Sequence, residues 1–282
     1  MPTTDYSEIK MAFSRSLYEP VTSASKKFVT TIIPAHDEEG RVGNTIDLLK
    51  QTNIPMNIMV INDGSKDRTA EEAIHHGAEV INLKKNMGKA YAYFVGIREG
   101  SKKGTQFLIS MDADMKKISK NWVAHMVTLA CLHCEPYSVG AGDTYRVVQR
   151  GVKPVMIASG FLEGEEVASA NLSGIRCFNR EAVEKLSRVR LSRFTYDGGK
   201  KPIIGFGLES FLNGYFRILQ EKNMASYDLN RDLSNEFHAQ RAYRKDNNWQ
   251  QAIEFSNAEE FIKKHESYLL KRKWQAKSHV KK

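Results

Sequence analysis

Short β-branched apolar runs alternate with helix-length amphipathic stretches through the first half of the chain. Runs at Phe28–Ile33, Ile58–Ile61, Val80–Leu83 and Phe107–Ile109 are bounded by turn residues and read as buried strands. Between them, Arg41–Gln51, Asp67–His76 and Gly88–Gly100 carry helical patterns. Strand and helix in repeated alternation predict βαβ units, and hence an α/β fold whose central, mostly parallel sheet is flanked by helices. Ligands of such sheets bind beyond the carboxyl ends of the strands, so the residues following each strand carry the candidate chemistry.

The second half is less regular. Trp122–Cys134, Glu181–Arg188 and Leu208–Glu221 read as helices, and Tyr137–Val148, Asn171–Phe178 and Ala225–Leu229 as strands. Glu259–Lys277 reads as a terminal helix, and no internal repeat is visible. Residues 1–27 are polar and Ser/Thr-rich, which suits an arm; 28–225 then form one α/β domain, and 226–282 a C-terminal segment that completes it.

Composition narrows the class. With 282 residues, 41% apolar and 27% charged, the chain has material for a sizeable core. No apolar run approaches the ~20 residues of a spanning helix. The opening MPTTDYSEIKMAF has no signal-like apolar segment, so a cytoplasmic location is expected. Three cysteines rule out a disulfide framework. Cys131 and Cys134 form a C-x-x-C around His133, yet zinc wants a second pair and only Cys177 remains, so core packing is expected.

Four strand ends hold the chemistry. The first, IIPAHDEEG, is expected to stop at Pro34 and places Asp37, Glu38 and Glu39 at a helix start, where capping is the first reading of them alone and a ligand the second. The second, VINDGSKDRT, carries the Asp63-Gly64 turn; Asp63 suits either that turn or acceptance of a nucleobase N–H. In NMGKA, Gly88 and Lys89 open a helix, where backbone N–H groups and an ammonium suit a phosphate or base edge. The fourth, LISMDADM, sets Asp112 and Asp114 at i and i+2, on one face of an extended segment. Two such acids repel unless a cation or proton sits between them. Mg²⁺ or Mn²⁺, completed by phosphate oxygens, fits them. NMGKA is not a Walker A loop, since that motif's spacing is missing and Ala90 follows Lys89, and no G-x-G-x-x-G follows the first strand.

In this joint order, IIPAHDEE, VINDGSKDRT, Gly88-Lys89 and Asp112-Ala113-Asp114 resemble glycosyltransferase family 2, enzymes of the GT-A fold that use nucleotide sugars. LSGIRCFNREAVEKL (172–186) looks like the Ser-Gly-x-Arg segment of members acting on polyprenyl phosphates, dolichol-phosphate mannose synthase among them. GFGLESFLNGYF (205–216) looks like the Gly-x-Gly-x-Glu helix start that brings an acid near the acceptor.

The resemblance implies a metal-dependent hexosyl transfer from a UDP- or GDP-linked sugar to a polyprenyl-phosphate, lipid or glycan acceptor, with inversion. Pro34, Ala35, His36 and Glu38 line the nucleoside in that reading, Asp63 reads the base, and Lys89, Asp112 and Ala113 contact the donor. Asp114 and Asp112 ligate Mg²⁺ or Mn²⁺ with His238 as a third ligand, while Arg241 and Arg244 clamp the diphosphate. Glu209 is the general base. Ser173, Gly174 and Arg176 meet the acceptor. The alternatives are a retaining transferase resembling glucosyl-3-phosphoglycerate synthase, and a nucleotide-binding protein without turnover.

The net charge of +9 is concentrated in the tail: residues 261–282 hold eight Lys/Arg against Glu266. Phe261, Ile262, His265, Tyr268 and Leu269 share one face of the expected helix, so the segment suits either an anionic membrane surface or packing on the domain. The charge is not spread over a folded face, so nucleic acid is not expected as a partner.

Overall fold

A computed structural model of the chain describes residues 29–118 and 174–189 continuously. It also describes 123, 126, 127, 130, 138–141, 144–147, 156–159, 161–163, 166–168, 195–196, 201–202, 207–218, 224–227, 240–241, 258, 260 and 262–263. The leading elements are β1 (Val29–Ala35), α1 (Val42–Gln51), β2 (Met56–Asn62), α2 (Thr69–His75), β3 (Glu79–Asn82), α3 (Lys89–Lys102), β4 (Phe107–Ser110) and β5 (Met115–Lys117). There follow β6 (Ser138–Ala141), β7 (Thr144–Val147), β8 (Met156–Ser159), β9 (Phe161–Glu163), β10 (Glu166–Ala168), β11 (Arg176–Asn179) and α4 (Arg180–Ser187). The last are β12 (Thr195–Tyr196), β13 (Lys201–Pro202), α5 (Gly207–Ile218), β14 (Met224–Tyr227) and β15 (Gln240–Arg241).

The main sheet has the order β14-β8-β11-β4-β1-β2-β3. The pairs β1–β2, β1–β4, β2–β3 and β8–β14 are parallel, whereas β11 runs antiparallel to both β4 and β8. This is the expected α/β architecture: β1, β2 and β4 are buried on both faces, while the edge strand β3 is exposed or half-buried along its length. On one face Val29, Ile33 and Val60 pack with Val42, Ile46 and Leu49 of α1. On the other, Ile32, Met59 and Ile61 meet Tyr93, Phe94 and Ile97 of α3 and Phe211, Leu212 and Phe216 of α5. Each such side chain contributes ~1.5–3 kcal/mol on burial. Helix α3 lies close because Gly96 has no side chain there; a methyl at that position would come 3.0 Å from Ile32 and Ile61.

Two expectations are corrected. Strand β1 does not stop at Pro34 but runs to Ala35, with Pro34 opposite Ile61. Ile32 accepts from Met111 N on the β4 side (3.0 Å), and Ala35 accepts from Asp63 N on the β2 side (2.8 Å). The N–H that Pro34 lacks therefore falls on the β4 side, beyond the last β1–β4 partners, Ile32 and Ser110. The single strand expected at Tyr137–Val148 is two strands, β6 and β7, paired antiparallel with Ala141 opposite Thr144. The turn dipeptide Gly142-Asp143 divides that run.

Val123, Met126, Val127 and Ala130 are helical and buried, as the pattern predicted; Cys131, His133 and Cys134 lie outside the described residues. Cys177 is buried in the core. The arm 1–27 and most of the terminal helix also lie outside them. Ala258 and Ile262, one helical turn apart, are buried in the α3/α5 core, with Ile262 against Gly214. Among the described residues no helix is long and apolar enough to cross a membrane.

Candidate active site

The loops after β1 and β2 hold each other. Asp37, at φ 52°, donates its N–H to Ser65 Oγ (3.0 Å) and accepts from Lys66 N (2.9 Å). Glu38 N donates to Thr69 Oγ1 (2.8 Å) and Glu39 N to Asp67 Oδ2 (3.0 Å), while Glu39 accepts from Arg68 N (3.1 Å). Asp67 Oδ1 also accepts from Thr69 N at 3.0 Å, a local turn bond just before α2. Burial works against the Asp67 carboxylate, but these donors outweigh it and hold the group below its usual value. Glu72 takes the N–H groups of Gly40 (2.5 Å) and Gly43 (2.9 Å) at the start of α1. The acids near β1 and β2 thus tie the two loops to each other through backbone N–H groups. Glu38 is nearly buried and lies 2.5 Å from Arg41 Nε. His36 Nδ1 is 3.0 Å from Asp63 O, so His36 joins the β1 and β2 ends directly behind Pro34 and Ala35.

Asp63, expected to read a base, accepts Met87 N on one oxygen and Gly88 N on the other, each at 2.7 Å. Gly64 sits so near this turn that a Cβ would come 2.5 Å from Asn86 N, and its φ is 67°. In this structure Asp63 therefore fixes the turn that launches α3.

Lys89, the first residue of α3, places its Nζ 2.9 Å from Asp112 Oδ1 and 3.3 Å from Glu209 Oε1. The lysine is half-buried and both acids are buried. Burial opposes the ammonium, but Asp112 and Glu209 outweigh it and hold Lys89 above its usual value of 10.5. Glu209 comes from the first turn of α5. The 112–115 turn is fixed by α1: Thr45 Oγ1 donates to Ala113 O (2.8 Å) and accepts from Met115 N (3.0 Å), and Asn44 donates to Met115 O (2.7 Å). Ala113 and Asp114 are buried with Asp112.

A second tier lies one helical turn deeper. Tyr93, at i+4 from Lys89, donates to Ser110 Oγ at 3.2 Å, and Ser110 donates to Gly174 O at 2.7 Å. Asn213, at i+4 from Glu209, accepts from Arg176 at 2.8 Å. Arg176 is wholly buried and also meets Met156 Sδ at 3.3 Å. Burial depresses its basicity, while Tyr93 and Glu209 pull the other way. The Arg176 guanidinium is thus enclosed beneath the site, between Asn213 of α5 and Met156 of β8.

The structure therefore joins Lys89, Asp112 and Glu209 directly, with Ala113 and Asp114 on the adjoining turn and Gly174 against the Lys89–Asp112 pair. The backbone of Arg241 pairs with Met115, next to Asp114. Ser173, His238 and Arg244 lie outside the described residues. Sequence reasoning missed Asn44, Thr45, Tyr93, Ser110 and Asn213. The i+4 spacings of Tyr93 and Asn213 from predicted residues were the available signal.

Residues 30–186 match the model of Glycosyl transferase family 2. The chain belongs to this family. Within it, 106 residues are 33% identical to 4,4'-diaponeurosporenoate glycosyltransferase of Staphylococcus aureus, a match covering 36% of this chain and 28% of that protein. The family fold is also seen in glucosyl-3-phosphoglycerate synthase from Mycobacterium tuberculosis. Its complex with Mn²⁺, UDP and glucosyl-3-phosphoglycerate has a TM-score of 0.54 at 16% identity, covering 93% of this chain and 85% of that one. Its complex with Mg²⁺ and UDP has a TM-score of 0.55 at 16% identity, covering 93% and 84%.

Proposed function

We propose that this family 2 member is a glycosyltransferase that moves a sugar from a nucleoside-diphosphate sugar, with Mg²⁺ or Mn²⁺, through the domain 28–225 and a completing segment 226–282. The observation that carries this reading is the pair of buried acids Asp112 and Asp114, fixed by Thr45 and Asn44 at the carboxyl end of β4, beside Lys89.

The donor set fits a hard divalent cation. Among the described residues no group of three His, Cys, Asp or Glu is arranged to hold a metal. Two carboxylates completed by phosphate oxygens is a common arrangement for such ions. Asp114 and Asp112 hold the ion, and His238 is the third candidate, two positions before β15, whose Arg241 pairs with Met115. When bound, the cation offsets charge on the departing diphosphate. Lys89 neutralises a diphosphate oxygen, with Arg241 and Arg244 as further clamps. Pro34, Ala35, His36, Glu38 and Ala113 border the nucleoside, and Asp63 holds the turn facing the base.

The acceptor is a lipid phosphate or a glycan or lipid hydroxyl, with Ser173 and Gly174 at its entrance. In an inverting reaction Glu209 takes the acceptor proton. A retaining reaction is the second reading: Glu209 lies 3.3 Å from the Lys89 ammonium, a holding role that a retaining transfer, or an inverting one onto an ionised phosphate, would use. Analysis of the product anomer separates the two.

The test is a thermal-shift series with UDP, GDP and dTDP, each with and without Mn²⁺. One nucleotide is expected to stabilise the protein, more strongly with Mn²⁺, and Asp114→Ala removes the Mn²⁺ increment. Stabilisation by none of them at millimolar concentration overturns the reading.

A further inference from the structure

We infer that Lys89 acts as a resident counter-cation which keeps the divalent ion off Asp112 until the nucleotide arrives, so that metal binding depends on the donor. The inference rests on the metal-binding reading above and goes beyond it.

The Lys89 ammonium lies 2.9 Å from Asp112 Oδ1, on a carboxylate that a divalent cation also needs. The Lys89–Asp112 pair is closely walled. A methyl group on Gly174 would fall 2.9 Å from both Asp112 Oδ1 and Lys89 Nζ, so the backbone of Gly174 closes one side. The turn carrying Asp112 and Asp114 is tied to α1 by Thr45 and Asn44, which limits retreat of the carboxylates from the lysine. An ammonium and a dication crowded onto one carboxylate repel each other, so each weakens the binding of the other.

Lys89 also has somewhere to go. Glu209 Oε1 is 3.3 Å from the same Nζ, on the far helix α5, and a donor diphosphate brings further anionic oxygens. With nucleotide present the ammonium is shared between Glu209 and the diphosphate, and Asp112 is released. Glu209 is then a positioning residue for Lys89. The coupling is reciprocal: if nucleotide strengthens metal binding, metal strengthens nucleotide binding by the same factor.

The experiment is calorimetric titration of the full chain with Mn²⁺ alone, and again with UDP or whichever nucleotide stabilises the protein. Wild type is expected to bind Mn²⁺ weakly alone and at least about tenfold more tightly with nucleotide. Lys89→Met is expected to bind Mn²⁺ alone about tenfold more tightly than wild type. Lys89→Arg keeps the charge and is expected to stay within about threefold of wild type; Lys66→Met, at an exposed lysine of the loop after β2, is a control for long-range charge. Circular dichroism confirms that each variant is folded, and if Lys89→Met does not fold, Lys89→Gln takes its place. Equal Mn²⁺ affinity without nucleotide in wild type and Lys89→Met, or an equal gain in Lys66→Met, overturns the inference while leaving the family chemistry intact. Absence of Mn²⁺ binding in every protein, nucleotide included, overturns the metal-dependent reading itself.

Discussion

Gly174 lies against Asp112 so closely that a Cβ on the glycine would stand 2.9 Å from Asp112 Oδ1. Its carbonyl is meanwhile fixed by the Ser110 hydroxyl at 2.7 Å, so the glycine cannot easily withdraw. Gly174→Ala must therefore displace Asp112 or Lys89, the other group within reach of that methyl. Overpacking of this kind costs ~1–3 kcal/mol. Denaturant unfolding should register that loss, and nucleotide binding in the presence of Mn²⁺ should weaken by about tenfold or more, equivalent to ~1.4 kcal/mol. Wild-type affinity in a folded Gly174→Ala protein would show that the pair tolerates the methyl.

Thr45 offers a cleaner separation of support from chemistry. Its hydroxyl both donates to Ala113 O and accepts from Met115 N, so one oxygen satisfies two backbone groups of the acidic turn. Thr45→Val preserves shape and removes both bonds in a buried place. A loss of ~1–3 kcal/mol is expected, since unsatisfied buried groups carry their desolvation cost. Mn²⁺ affinity in the presence of nucleotide should fall with it. Thr45→Ser restores the hydroxyl and should recover both quantities. Failure of Ser to rescue would assign the effect to helix packing.

Much of this arrangement was legible along the chain. The first four strands and three helices stand close to where the apolar runs placed them: β1, β2 and β4 are buried on both faces and cannot hide their composition, and the edge strand β3 is marked by its short β-branched run. The acids after β1, β2 and β4 were visible for the same reason, since each closely follows a buried strand, and Gly88-Lys89 was visible as the start of a helix. What escaped reading is long-range. Nothing near Ser110 in sequence announces Gly174 as its partner, sixty-four positions away. Strand β15 has two residues and pairs with β5 and β9, both distant in sequence. Arg176 shows the other limit: a Ser-Gly-x-Arg motif does not say whether its arginine faces solvent or is enclosed.

Acid should loosen the β1–β2 loop bracket. Asp67 is held below its usual value of 3.8 because Thr69 and Glu39 donors outweigh the effect of burial. A carboxyl depressed on folding contributes stability that is present above its unfolded value and disappears as pH falls through the folded one. The Asp67 contribution is therefore complete at neutral pH and is lost progressively as pH falls below 3.8 through the lower folded value. Asp67→Asn should be less stable than wild type in urea unfolding at about pH 7, and the gap should narrow at about pH 3. A gap that stays constant with pH would mean that the asparagine's lost contacts, not charge, set the difference.

Arg176 distinguishes a buried strut from an acceptor contact. Its guanidinium donates to Asn213 at 2.8 Å and sits one helical turn beneath Glu209, on a strand held between β4 and β8. Replacing it with methionine keeps the apolar stem and strips the donor from Asn213. The expected loss is ~1–3 kcal/mol for the stranded amide oxygen and the lost contacts. Asn213→Leu should cost a similar amount, and the double variant less than the sum, because the two residues share one interaction. Nucleotide affinity should fall in both single variants, since α5 carries Glu209 toward Lys89. An arginine that met acceptor at the surface would behave otherwise: unfolding curves would superimpose on wild type, the cycle with Asn213 would be additive, and only the dependence on acceptor concentration would change.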